Sequence, residues 1–287
     1  MTDLLDGDLP VRRQAPEGFR PDLATALREQ LSMLRVGAAL ARRRRVTPVP
    51  PDPSRLPVVL VPGFLAGDFA MRPMSDALRA AGHWTGRSGI APNVGCTLTL
   101  AAALTERVAQ VAQDRGSPVA LVGWSRGGTI GKLVALRRPD LVASLITLAT
   151  PNLDPLAVNA TLARELALLT RLRALGVPGL LGEDCIAGDC AAQVRDELAV
   201  DLPADLPYLS VFSTSDGVVD WRACLDPAAE HQEVDATHMA MGAEPAVIEL
   251  VVGRLAPAAA LLDRITAADA FGERRRGHRS ARHPERA

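Results

Sequence analysis

The sequence predicts an α/β fold, with a mostly parallel central sheet and helices on both faces. Short apolar runs alternate with helical patterns from residue 56 onward. The run at 58–63, VVLVPG, is rich in β-branched residues and ends in Pro and Gly, which is typical of a strand buried on both faces. Strands separated by helices need crossover connections, and these lay the strands parallel. The length of 287 residues fits one such domain, because α/β domains often exceed about 200 residues.

The elements follow one another regularly along most of the chain. Apolar runs predict strands at 58–63, 83–90, 119–123, 143–149, 208–214 and 231–236. Helical spacing predicts helices at 70–81, 97–114 and 125–138. Between residues 151 and 207 the alternation stops, and a leucine-rich helical stretch precedes a loop that contains Gly and Cys. We predict a helical lid inserted over the carboxyl ends of the strands, although a longer crossover helix without a gating role fits equally well.

Two segments flank the predicted domain, to which we assign residues 56–272. Residues 1–55 contain a predicted helix whose leucines at 23, 27, 31 and 34 share one face, and Asp22 is a suitable cap for it. A basic run at 42–45 and a proline-rich connector follow the helix. We expect the helix to pack against the domain, and contact with a membrane surface is the alternative. Residues 273–287 hold no aliphatic residue larger than Ala, which predicts a disordered basic tail; a nucleic-acid arm is the less favoured interpretation.

The composition indicates which class of protein the chain belongs to. Hydrophobic residues make up 48% of the chain and charged residues 23%, and the net charge is -1. These values are typical of a globular protein with a large core, and they do not favour a nucleic-acid partner. The N-terminus, MTDLLDGDLPVRRQ, lacks the apolar segment of a signal peptide, and no run of about 18 apolar residues predicts a membrane span. A cytoplasmic location is therefore the default expectation.

The four cysteines show no metal-binding spacing. Cys96, Cys185, Cys190 and Cys224 form no CxxC pair, so the spacing predicts neither a zinc site nor a disulfide framework. We interpret them as buried or idle thiols. A bridge between Cys185 and Cys190, which flank the loop IAGD, is geometrically conceivable but disfavoured in a reducing compartment.

A serine between two glycines marks one strand-to-helix junction. The stretch Gly123-Trp124-Ser125-Arg126-Gly127 begins at the end of the predicted strand VALVG at 119–123 and opens the next helix. Glycines at these positions lack the Cβ atoms that would clash in so tight a turn, and the turn exposes the serine hydroxyl at the edge of the sheet. The N-terminal end of the helix presents unpaired backbone N–H groups to a developing oxyanion. We therefore predict that Ser125 is a nucleophile.

A nucleophilic serine needs a base and an acid that orients the base. Among the histidines, His238 in DATHMAMG follows the last predicted strand, from which it can reach back over the serine. Asp216 directly follows the strand at 208–214 and is the favoured acid, ahead of Asp220 and, more distantly, Asp235. The order serine, acid, histidine agrees with one of the known orders of catalytic triads.

The loop after the first predicted strand offers a second oxyanion donor. LVPGFLAGD at 60–68 brings Phe64 to the same sheet edge, and its backbone N–H can act together with that of Arg126. Leu65 is the alternative donor.

Together these motifs resemble the α/β-hydrolase fold, and within it bacterial lipases and esterases. The resemblance is carried by VVLVPGF, GWSRGG, LATP at 148–151, SDGVVDW and THMAMG, and it extends from about residue 56 to about residue 262. It implies Ser125 as nucleophile, His238 as general base, Asp216 as acid, and the backbone N–H groups of Phe64 and Arg126 as oxyanion donors. Trp124 replaces the histidine that precedes the serine in the commonest lipases, and VPGF replaces an HGGG-type run.

The resemblance implies a serine hydrolase that cleaves carboxylic esters through an acyl-enzyme, with no metal or organic cofactor. Apolar side chains near the nucleophile, Trp124, Phe64 and Leu65, together with the leucine-rich lid, predict a small-molecule ester with an apolar acyl chain. An acyltransferase or a thioesterase using the same triad is the alternative, as is a noncatalytic binding protein with this fold.

Overall fold

A computed structural model describes residues 19–42 and 49–255. The predicted tail at 273–287 and the arginines at 43–45 lie outside the described residues.

The centre of the molecule is a parallel sheet of six strands in the order β2-β1-β3-β4-β5-β6, counted over the residues that the structure describes. This confirms the predicted fold class. The strands are β1 (Val58–Val61), β2 (Thr85–Arg87), β3 (Val119–Trp124), β4 (Val142–Leu148), β5 (Tyr208–Phe212) and β6 (Glu230–Glu233). The helices are α1 (Leu23–Arg42), α2 (Arg72–Ala80), α3 (Thr97–Arg115), α4 (Arg126–Arg137), α5 (Ala160–Ala174), α6 (Asp184–Ala187), α7 (Asp189–Leu198) and α8 (Pro245–Arg254).

Helices cover both faces of the sheet, because the central strands are buried at every position. Each residue of β1, β3 and β4 is buried, and consecutive side chains point to opposite faces. On one face the core includes Met74 of α2 and Val247 of α8. On the other it includes Leu104 of α3 and Ile130 of α4.

The register of the strands brings three strand ends together. Val61 at the end of β1 is opposite Gly123, and Trp124 at the end of β3 is opposite Leu148 at the end of β4. The loops that follow β1, β3 and β4 therefore begin at one edge of the sheet. Parallel α/β sheets bind ligands at this carboxyl edge.

The region between β4 and β5 divides into two parts. Leu162 and Leu166 of α5 and Ile186 of α6 line a pocket at the carboxyl edge. In contrast, Val194 and Leu198 of α7 are buried in the core that contains α3 and α4. The first part therefore lines the pocket at the sheet edge, whereas α7 packs as an ordinary core helix. A gating role of this region stays a prediction.

Helix α1 contacts its own domain, but not through its leucine face. It begins after Asp22, whose Oδ1 accepts a hydrogen bond from Thr25 N at 2.7 Å. The residues of the leucine face are exposed by 77% (Leu23), 55% (Leu27), 53% (Leu31) and 66% (Leu34). On the opposite side Glu29 is buried against the turn that contains His238. The helix packs against the domain through its polar face, where the Glu29 carboxylate accepts hydrogen bonds from backbone N–H groups.

Candidate active site

Ser125 occupies a strained turn between β3 and α4. Its φ is 53°, in the left-handed region that costs a residue with a Cβ free energy, so helix α4 begins at Arg126 rather than at the serine. The Ser125 backbone is tied down on both sides, because its N–H donates to Leu148 O at 2.8 Å and its carbonyl accepts from Thr150 Oγ1 at 3.0 Å. The turn fixes the serine side chain at the carboxyl edge of the sheet.

Two glycines make this turn sterically feasible. A Cβ at Gly123 would overlap with the backbone of Gly128, and a Cβ at Gly127 would overlap with the carbonyl of Val61. These are backbone atoms that cannot rotate away. The glycines are thus required by the close approach of α4 to β3 and β1, as the sequence pattern predicts.

The structure brings Asp216 and His238 into direct contact. His238 Nδ1 lies 2.8 Å from Asp216 Oδ2, and both side chains are buried. Because a carboxylate only accepts hydrogen bonds, Nδ1 carries the proton, which leaves the lone pair on Nε2. Asp216 Oδ1 accepts from the backbone N–H groups of Val218 and Val219, both at 2.8 Å. These bonds fix the carboxylate that orients the ring.

Trp124 links this pair to the serine turn. Its Nε1 donates to His238 O at 3.1 Å, and the two rings lie 5.9 Å apart between centroids. The indole also packs against the backbone of Gly63. Ser125 is the next residue, although no hydrogen bond joins its Oγ to the imidazole among the described residues. Trp124 thus supports His238, while the predicted contact of Trp124 with substrate stays a prediction.

The two alternative acids, Asp220 and Asp235, contact arginines instead of His238. Asp220 Oδ1 accepts from Arg222 N at 3.1 Å and Arg222 Nε at 2.9 Å. Asp235 is exposed and pairs with Arg28 at 3.2 Å. Neither contacts His238, which favours Asp216 as the orienting acid.

Opposing effects act on the pKa of His238. Burial acts to lower it, whereas the charge of Asp216, its hydrogen bond and the charge of Glu29 raise it. The raising effects prevail, so the pKa of His238 lies above its usual value of 6.5. The surroundings therefore stabilise the imidazolium form relative to that of a free imidazole, a property that suits a general base.

Glu29 of α1 is a site residue that the sequence patterns did not reveal. Its Oε1 accepts from Gly217 N at 2.9 Å and from His238 N at 2.7 Å, while Oε2 accepts from Met239 N at 3.0 Å. The carboxylate thus joins the loop that carries Asp216 to the turn that carries His238. A lone glutamate in an amphipathic helix gives no signal of this role, because its partners lie about 190 to 210 positions away.

The loop after β1 holds the predicted oxyanion donors. The Leu65 N–H donates to Asn93 O at 3.2 Å, and Leu65 does not line the pocket. Phe64 does line it, next to Ser125 and Arg126. This favours Phe64 over Leu65 as the partner of the Arg126 N–H.

Asn93 is a second residue that the sequence patterns missed. It is fully buried, its Nδ2 donates to Pro62 O at 2.8 Å, and its Oδ1 accepts from the Arg126 guanidinium at 2.7 Å. Asn93 therefore joins the loop after β1 to the residue that follows the serine. Burial lowers the pKa of Arg126 to about 10, an effect that neighbouring thiols partly offset, so its side chain is charged at neutral pH.

The pocket above Ser125 is mainly apolar. Its aliphatic and aromatic lining consists of Phe64, Leu156, Val158, Leu162, Leu166, Leu181 and Ile186. Thr97, Arg126, Thr129 and Cys185 add polar groups. Such a lining suits a hydrophobic ligand that is oriented by few polar contacts.

The remaining described histidines have structural contacts. His83 Nδ1 lies 2.9 Å from Leu56 O, and His231 Nε2 lies 2.8 Å from Asp226 O. His278 and His283 lie outside the described residues.

Comparison with known proteins agrees with this architecture. Residues 57–169 match the family model described as alpha/beta hydrolase fold. The chain has the α/β-hydrolase fold. The chain is similar to the mature form of the Bacillus licheniformis lipase BlEst2, with a TM-score of 0.52 and 16% identity over 73% of this chain and 96% of the lipase chain. The propeptide form of that lipase gives a TM-score of 0.54 at 16% identity, over 74% of this chain and 53% of its own.

At this identity the similarity concerns the fold. No curated protein matches the sequence. Within the described part of the chain, no helix combines the length and the apolar character needed to cross a bilayer.

Proposed function

We propose that the protein is a serine hydrolase that cleaves carboxylic esters through an acyl-enzyme on Ser125. The observation that carries this proposal is the buried contact of 2.8 Å between His238 Nδ1 and Asp216 Oδ2, beside a serine with a φ of 53°. This pairing of an oriented imidazole with a strained serine turn is what acyl transfer from a hydroxyl nucleophile needs.

In the proposed reaction, Ser125 Oγ attacks the ester carbonyl while its proton passes to His238 Nε2. The hydrogen bond between Oγ and Nε2 belongs to the complex with substrate, because catalytic hydrogen bonds are often long in the absence of substrate and tighten on binding. The buried Asp216 carboxylate stabilises the imidazolium, and the N–H groups of Phe64 and Arg126 donate to the oxyanion. The alcohol leaves with the proton of His238, and water then releases the acid by the same steps.

The preferred substrate is an ester with an apolar acyl chain. The pocket above Ser125 supports this, because its lining from α5, α6 and the loop after β4 is mostly aliphatic. Burying each methylene of such a chain contributes about 0.8 kcal/mol. Hydrolysis of p-nitrophenyl esters is therefore expected to show a KM that falls as the acyl chain lengthens, until the pocket is filled.

A fluorophosphonate probe tests the nucleophile directly. The folded wild-type protein is expected to be labelled, whereas Ser125→Ala is expected to lose the label and about 10⁴-fold or more of kcat/KM. Ser117→Ala, in the turn that follows α3, is the matched control and keeps both. Labelling that persists in Ser125→Ala would exclude this serine, and a folded protein that is never labelled would indicate a noncatalytic binding function.

The acceptor of the acyl group is tested by product analysis. An esterase releases free acid even when a short alcohol is added, whereas an acyltransferase forms mostly the new ester. Comparing oxygen esters with thioesters of the same acyl chain separates an esterase from a thioesterase.

A further inference from the structure

Three cysteines that are far apart in sequence converge beside the pocket. Cys96 precedes the first residue of α3, Cys185 lies in α6, and Cys190 lies in the first turn of α7. Their Sγ atoms all lie within 4.8 Å of one another, and those of Cys96 and Cys190 are 3.5 Å apart. All three are free thiols. Instead of the idle thiols expected from their spacing, the fold forms a cluster of soft donor atoms.

We propose that Cys96, Cys185 and Cys190 bind one thiophilic divalent ion, for which Zn²⁺ is the natural probe. Thiolates bind Zn²⁺ at about 2.3 Å in tetrahedral geometry, which places the sulfur atoms about 3.8 Å apart. The Cys96–Cys190 separation of 3.5 Å lies just below this value, and none of the three separations exceeds 4.8 Å. The side chains therefore need only small adjustments to bind an ion.

The surroundings suit the charge of such a site. Each thiol that binds releases one proton to solvent, so three thiolates and a divalent ion leave one net negative charge. The Arg126 guanidinium interacts electrostatically with all three cysteines. It is held next to Cys96 by hydrogen bonds to the carbonyl of Gly95 and to Thr97 Oγ1, the latter at 3.0 Å. A fixed positive charge thus compensates the bound complex.

The described residues supply three ligands, and a tetrahedral ion requires a fourth. Three protein ligands with an open fourth position are typical of zinc sites that retain a water molecule. Cys185 also lines the pocket above Ser125, so the site borders the space assigned to substrate. An ion here would join α6 and α7 to the start of α3 and stiffen one wall of the pocket.

Metal uptake by the reduced, full-length protein tests this site without reference to activity. Zn²⁺ is expected to bind at one ion per chain and to raise the Tm, because an ion that binds only the folded state stabilises it. Co²⁺ is expected to give sulfur-to-metal charge-transfer absorption. Single variants Cys96→Ser, Cys185→Ser and Cys190→Ser are each expected to weaken binding by about 100-fold or more, since even residues that only support metal ligands contribute about 10- to 100-fold.

The matched control is Cys224→Ser, because Cys224 is buried in a separate cluster with Val158 and Val219. It is expected to keep full metal binding. If the cysteine variants fail to fold, X-ray absorption of the Zn²⁺-loaded wild type decides, with three sulfur atoms expected at about 2.3 Å. Absence of sulfur scatterers or of any uptake overturns the site. The metal site would also be overturned if the reduced protein takes up no Zn²⁺ and forms a Cys96–Cys190 disulfide in air.

Discussion

Asp216 divides its two carboxylate oxygens between the backbone and the His238 ring. One oxygen accepts two backbone N–H groups and the other faces His238 Nδ1. Asp220, four residues later, instead accepts from Arg222. The two carboxylates therefore form a matched pair for testing which of them orients the base.

Asp216→Asn is expected to lower kcat/KM by about 10⁴-fold, because an amide no longer holds the proton on Nδ1 or stabilises the imidazolium. Asp220→Asn is expected to lower kcat/KM by less than about 10-fold, since Asp220 makes no contact with the ring. Steady-state kinetics on a p-nitrophenyl ester measures both. A larger loss in Asp220→Asn would assign the orienting role to the other carboxylate.

Site residues that form local sequence patterns could be predicted, whereas site residues whose partners are distant in sequence could not. The Ser125 turn is a local feature, because its glycines and flanking elements lie within a few positions of it. Glu29 and Asn93 act through contacts to distant backbone groups. Such contacts depend on which loops meet in three dimensions, and a single sequence carries no local pattern for them.

At the scale of elements, α1 is anchored by a buried charge rather than by its apolar face. A buried carboxylate is costly unless it is hydrogen-bonded, and Glu29 receives three N–H donors. Leucines at helical spacing predicted the helix, and Asp22 predicted its cap. They indicated the wrong face for packing, because periodicity shows that a face is apolar and not what covers it.

Glu29→Gln tests whether α1 positions the base. The amide keeps the size of the side chain but places a donor against one of the backbone N–H groups, so we expect kcat/KM to fall by about 10- to 100-fold. The charge of Glu29 also raises the pKa of His238. Its removal is expected to lower that pKa, and the acid limb of the kcat/KM profile then moves to lower pH because His238 must be neutral to accept the proton.

A pH profile distinguishes this positioning role from a purely structural one. Gln30→Ala, an exposed change on the same helix, is expected to leave both the rate and the profile unchanged. A loss of activity in Glu29→Gln that only follows a lower Tm, with the acid limb unmoved, would contradict the positioning role.

At the scale of the whole molecule, alternating strands and helices were enough to predict a parallel α/β fold. The strand order was not predictable, because it depends on which crossover goes to which side of β1. The division of residues 151–207 into a pocket wall and a core helix was also hidden. Both parts contain apolar side chains, and their sequence does not show which surface each one meets.

The arrangement of α1 leaves an apolar stripe on the outside of the domain. Leu23, Leu27, Leu31 and Leu34 are all more than half exposed, while Arg28 and Arg35 of the same helix are exposed as well. Apolar and basic side chains on one surface helix are typical of contact with anionic lipid surfaces. The alternative of membrane contact can therefore be tested separately from the role of Glu29, because the two depend on opposite faces of α1.

The double variant Leu27→Asn, Leu31→Asn is expected to reduce binding to vesicles of phosphatidylglycerol and phosphatidylcholine by at least about 10-fold, because two leucines no longer enter the apolar phase. Co-sedimentation measures the bound fraction, and hydrolysis of a soluble ester is expected to stay at the wild-type rate. Val200→Asn, an exposed change after α7, serves as the control. If the wild-type protein stays in the supernatant, the stripe does not bind these lipids. If size-exclusion chromatography shows a dimer that the double variant dissociates, the stripe contacts a second copy of the chain instead.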